Sequence, residues 1–144
     1  MKSIKFRNAI LCEYVAKSAG NKHTLVGVYS GEIIISSMPG DLHLGFYCEI
    51  LEKFHDAKEF TLEGFLGTAK FGQVVAEFQP SQSQELYVLA MPFMPVSVVE
   101  PGKLRLVLSL EGFRRTILLD KDVRLPQPTD SIVFPPPAGQ SSRW

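Results

Sequence analysis

Residues 42–50, LHLGFYCEI, alternate strictly. Leu42, Leu44, Phe46, Cys48 and Ile50 fall on one side of an extended chain, and His43, Gly45, Tyr47 and Glu49 on the other. Leu104, Leu106, Leu108 and Leu110 repeat the pattern against Arg105, Val107, Ser109 and Glu111. Successive side chains of a strand point to opposite faces, so this period of two predicts strands with one dry and one wet face. The segments IKFRN, EFTLEGFL, QVVAEF and ELYVLAM continue the series. About eight strands at this spacing predict an all-β fold, a two-layer antiparallel β-sandwich.

The connections carry turn chemistry. Glu111-Gly112 predicts a two-residue hairpin, and Glu100-Pro101-Gly102-Lys103 a type II turn. His55-Asp56-Ala57 and Gly67-Thr68-Ala69 are the other expected hairpin loops, and short links of this kind imply antiparallel neighbours. One segment departs from the alternation. Leu11, Val15 and Ala19 recur every four residues before Gly20-Asn21, which predicts a short helix near the N-terminus, between the first two strands. From Pro126 onward the pattern dissolves into PQPTDSIVFPPPAGQSSRW. Residues 1–125 are therefore expected to form the sandwich domain and 126–144 a proline-rich tail. Ile132-Val133-Phe134 can dock as a short edge strand before three prolines end any ladder.

Composition narrows the function classes. A chain of 144 residues supports one domain with a real core. Fifteen basic residues balance fifteen acidic ones, without the basic excess that nucleic-acid binding draws on. Glu13 and Lys17 interrupt the N-terminal apolar run before it could act as a signal peptide, and no apolar window is long enough to span a membrane. Two cysteines, Cys12 and Cys48, suit a reducing compartment, so a cytoplasmic location is expected with both as buried filler. A bridge between them requires that their strands be neighbours at the right spacing.

Few residues suggest chemistry. In GVYSGEIII (27–35) two glycines flank a tyrosine and a serine, but Glu32 and three isoleucines follow. A phosphate loop needs a helix there and no carboxylate, so the stretch reads as a strand that bends at glycine and continues as another. His23, His43 and His55 match no metal-ligand spacing, and no nucleophile elbow or cofactor motif is present. The acid pairs Glu49/Glu52 and Glu59/Glu63 read as the wet faces of strands. Arg114 and Arg115, adjacent on a strand, point to opposite faces and read as charges that discourage edge pairing. With nearby turn amides, either could also hold a small anion. In YVLAMPFMPVSVV, Phe93 and its methionines sit among prolines that should prevent a regular ladder. They are either a contact surface or buried, and burial is favoured. Trp144, after the proline triplet, is either a disordered end or a hook for another chain.

Taken together, FRNAILCEYVAK, NKHTLVGVYSGEIII, MPGDLHLGFYCEI and VEPGKLRLVLSLEG resemble an uncharacterised family of small β-rich bacterial and phage proteins. Asn8-Ala9-Ile10, Gly27-Val28-Tyr29-Ser30-Gly31-Glu32-Ile33 and Pro101-Gly102 carry the likeness, with Glu32 where that pattern often has aspartate. The resemblance implies a bacterial or phage intracellular setting and supplies no catalytic residues. The expectation is a non-enzymatic protein-interaction or structural accessory module, without cofactor or metal. Its partner is expected to be another protein, with homo-oligomerisation through an uncovered sheet edge open. The alternative is a protein that binds a small anionic ligand or nucleotide. Tyr29, Glu32, Arg114, Arg115, Phe93 and Trp144 are the candidate binding residues.

Overall fold

A computed structural model describes residues 1–80 and 86–130. Its elements are β1 (Lys2–Ser3), β2 (Phe6–Ser18), β3 (Lys22–Val28), β4 (Ile33–Ile34), β5 (Gly40–Ile50), β6 (Lys58–Leu66), β7 (Ala69–Phe78), β8 (Tyr87–Val98), β9 (Gly102–Leu110), β10 (Phe113–Arg114) and β11 (Thr116–Arg124). The fold is all-β. One sheet has the order β3-β2-β5-β8, a second the order β4-β11-β9-β6-β7, and β1 pairs with β10. The long ladders are antiparallel, while the two-residue pairings β1–β10 and β4–β11 are parallel.

The alternation explains the core. Leu42, Leu44, Phe46, Cys48 and Ile50 of β5 are all buried, as are Leu104, Leu106, Leu108 and Leu110 of β9. They belong to one cluster with Leu11 of β2, Phe60 and Leu62 of β6, and Val123 of β11. Both sheets therefore turn their dry faces to a common core. Burying each large side chain contributes roughly 1.5–3 kcal/mol relative to exposure. An aromatic group closes one end: Phe60 stacks on Phe78 at 4.3 Å, and Phe54 stacks on Phe78 and Tyr87 at 5.7 and 5.5 Å.

The expected N-terminal helix is absent. Residues 11–18 belong to β2, paired with β3 from Cys12 to Ser18 and with β5 as far as Cys12. A spacing of four is also a multiple of two, so Leu11 and Val15 share a strand face as readily as a helix face. Both are buried. The stop at Gly20-Asn21 is instead the β2–β3 turn, where both residues have positive φ (76° and 57°).

Two expected hairpins also prove to be crossings between sheets. Residues 51–57 lead from β5 to β6, and Pro101 leads from β8 to β9, each time into the other sheet. Turn chemistry specifies that the chain reverses, not which strand receives it. Gly67-Thr68 does join neighbours, β6 and β7. The proline-containing segment forms β8 after all. A bulge opposite Gly45, between the pairs Leu44–Met94 and Phe46–Met91, absorbs the irregularity.

Gly45 has a further role. Beyond Cys12, β2 leaves β5 and runs on with β3 alone. A Cβ on Gly45 would lie 3.0 Å from Tyr14 Cα, Val15 N and the Pro92 carbonyl, so the β2–β3 arm crosses β5 where it has no side chain. His23 of the arm then rests on Tyr47, ring centroids 5.5 Å apart.

Candidate interaction site

The candidate residues from the sequence are dispersed. Tyr29 is half-buried; its amide donates to the Leu11 carbonyl (2.9 Å) and its hydroxyl to the His43 carbonyl (2.9 Å). It thus occupies the place beside β5 that β2 vacates, and gives His43 the donor that the ladder no longer supplies. Burial, then the nearby Glu13 charge, raises its pKa. Tyr29 lines a recess of about 320 Å³ with Glu13, Ser36, Ser37, Asp41 and His43; among the described residues, no Lys or Arg lines it. Glu32 faces elsewhere: it pairs with Arg124, which also grips Asp130. That clamp pulls the Asp130 carboxyl down to about 2 and ties residues 127–130 back to β11. GVYSGEIII is therefore a crossing from β3 in one sheet to β4 in the other, through Gly27 and Gly31 with positive φ.

Arg114 and Arg115 take different neighbours. The Arg115 guanidinium donates to Glu63 (3.3 Å) and lies over the Phe65 ring at 5.5 Å. Arg114 sits on β10 beside β1, and its carbonyl accepts from the Thr116 hydroxyl at 2.8 Å. Phe93 is 47% exposed and meets His43 edge-on at 5.0 Å, while Met91 and Met94 pack against the core. Trp144 and Ile132-Val133-Phe134 lie outside the described residues.

Sequence reasoning took Glu49 for a solvated acid and missed its partners. Arg7 (2.7 Å), Asn8 (2.9 Å) and the Tyr47 hydroxyl (2.8 Å) all donate to it, where the pairing of β2 with β5 slips between Arg7 and Ile10. The Arg7 and Tyr47 hydrogen bonds hold the Glu49 carboxyl below its usual range, and burial with Glu49 pushes Tyr47 up to about 12. A carboxylate saturated with donors in this way is a tie between strands rather than a proton carrier. Glu52 is likewise occupied, by the Lys5 amide at 2.9 Å. Cys12 and Cys48 are buried and free, and burial pushes Cys48 up to about 12. Among the described residues, no group of three or more His, Cys, Asp or Glu could hold a metal ion, and no helix is long and apolar enough to cross a membrane.

The outer edge of β7 has the form of a binding site. β7 ends the five-stranded sheet, and no described strand lies beyond it. Its bulge is at Phe71, whose ring fills the space a side chain at Gly64 would take. The polar groups of the edge follow from the ladder. Gly67 donates to the Lys103 carbonyl of β9 (2.9 Å), so odd-numbered residues of β6 serve β9 and even-numbered ones serve β7. Gln73, Val75 and Glu77 stand opposite the odd-numbered Glu63, Thr61 and Glu59. They therefore direct their amides and carbonyls away from β6, into the open. Val75 is 53% exposed, and residues 71–76 hold no charge and no proline. Sequence reading identified QVVAEF as a strand but had no means of placing it last in its sheet. Comparison with known protein families and with curated proteins finds no match.

Proposed function

We propose that this chain is a non-enzymatic protein-interaction module, a two-layer β-sandwich that captures an extended segment on the edge of β7. The observation that carries the reading is the row of outward main-chain groups at Gln73, Val75 and Glu77, beside an uncharged, proline-free run. Such an edge is a template for another strand: main-chain hydrogen bonds supply affinity, and alternate side chains supply selectivity. The bacterial or phage cytoplasmic setting implied by the resemblance belongs to the same proposal. A small anionic ligand is less well served, because Arg114 and Arg115 take separate neighbours and the Tyr29 recess is lined by acids. Amide exchange at Gln73, Val75 and Glu77 in the full chain tests the proposal. Fast exchange in dilute solution, with protection in the complex, is expected. Protection in the dilute, isolated chain would sink it.

A further inference from the structure

The outer face of β7 is polarised along its length. At one end Lys70 Nζ lies 2.5 Å from Gln73 Oε1 and 2.9 Å from Glu63. The ammonium therefore holds the Gln73 amide oxygen and leaves its NH2 group free to donate. At the other end Glu77 stands directly opposite Glu59, two like charges side by side; the Gln79 amide donates a long hydrogen bond to Glu77 (3.4 Å), and no described basic group lies within 4 Å of either acid. Val75 lies between the two ends on the same face.

We infer that the strand captured by β7 is β7 of a second copy, paired antiparallel about a two-fold axis at Val75. The inference rests on the open edge proposed above and names its occupant. A perpendicular two-fold between antiparallel strands sets one residue opposite its own copy, because opposite residues must share a face and a hydrogen-bonding phase. With Val75 on the axis, Val75 meets Val75, and the Gln73 amide of each copy meets Glu77 of the other. The donor end with Lys70 then relieves the doubly acidic end of Glu59 and Glu77, twice. On the inner face Val74 meets Ala76. Moving the axis to Val74 or Ala76 sets Glu77 against Phe71 or Val75 and loses this match. The self-paired edge joins two five-stranded sheets into one and leaves neither β7 exposed.

Sedimentation velocity of the full chain over a wide concentration range, at low and high salt, tests the inference. A monomer–dimer equilibrium that weakens with salt is expected, with protection of the Gln73, Val75 and Glu77 amides rising as the dimer forms. Gln73→Glu should weaken dimerisation about tenfold, since it sets two carboxylate pairs face to face. Adding Glu77→Gln to that variant should restore it, because the amide and carboxylate merely exchange places. Thermal midpoints close to the parent's exclude unfolding as the cause. A dimer indifferent to Gln73→Glu and Val75→Lys would overturn the inference by placing self-association elsewhere. A chain monomeric at every concentration would also overturn it; fast exchange at the three amides would then leave the open edge standing for another partner. Slow exchange in the dilute monomer would remove both readings, because the chain's own residues would already cover the edge.

Discussion

The edge strands β7 and β8 lie against each other, the one ending the five-stranded sheet and the other the four-stranded sheet. A Cβ on Gly72 would come within 3.1 Å of Met94 Sδ. They handle the same hazard differently. β8 carries Pro92 and Pro95 and a bulge in its middle. Pro95 stands opposite His43, whose carbonyl is taken by the Tyr29 hydroxyl on the far side of β5. That pair therefore directs its polar groups apart, and the nitrogen that proline leaves without hydrogen faces outward, where a docking strand would need a donor. The proline blocks the edge without removing a bond from the ladder. β7 has no proline, its bulge is confined to Phe71, and three consecutive outward residues keep both donor and acceptor. Protection of a sheet edge is thus a local choice, made at single positions.

Substitutions on the β8 and β7 sides should differ in the size and kind of their effects. The largest effect is expected from Gly45→Val, which drives a side chain into the backbone of Tyr14 and Val15 and the Pro92 carbonyl. It should cost about 2–4 kcal/mol in urea unfolding. A neutral result would mean that the β2–β3 arm is not fixed over β5, and that the β8 side is less constrained than described. Tyr29→Phe removes the hydroxyl that serves His43 and should cost about 1 kcal/mol in the same measurement. Val75→Lys and Phe93→Lys place a charge on the β7 and β8 sides respectively, each at a half-exposed position. Both should leave stability within about 0.5 kcal/mol, with only Val75→Lys abolishing association in sedimentation. Equal effects on association would erase the distinction between the two edges.

The smallest effect lies away from both edges and serves as a control. Asp130 is held at about 2, below its ordinary 3.8, by Arg124. A depressed carboxyl stabilises the folded chain fully above its ordinary pKa and loses that contribution as pH falls through the folded value. Asp130→Asn should therefore flatten slightly the decline of the thermal midpoint between pH about 4 and about 2. Association through β7 should not change at neutral pH. An unchanged midpoint profile would show that the clamp makes no stabilising contribution.

How much of this was legible in advance depends on the range of the interaction concerned. Leu42, Leu44, Phe46, Cys48 and Ile50 announced a buried strand face, and all are buried, because side-chain alternation is a property of the extended chain itself. The Leu11–Val15 spacing misled because the periods of helix and strand coincide over four residues; only pairing with β3 and β5 decided between them. Glu49 looked like any solvated acid until the slip in β2 brought Arg7 and Asn8 onto it. The Pro101 turn was legible as a reversal but not as a change of sheet. For the candidate site, the apolar strand QVVAEF was readable, but the exposed edge was not.

Apart from residues 11–18 and the proline-containing part of β8, the sequence by itself determined where the long strands run, which face of each is dry, and where the chain turns, since these follow from neighbouring side chains and local backbone preference. Only the tertiary structure decided that β2 peels away over Gly45, that Tyr29 serves His43, and that β7 rather than β9 ends its sheet. The physical reason is that ladder bonds join residues far apart in the chain: a strand's own residues state its preference for pairing, but its place in the sheet depends on which other strands leave an edge to be filled.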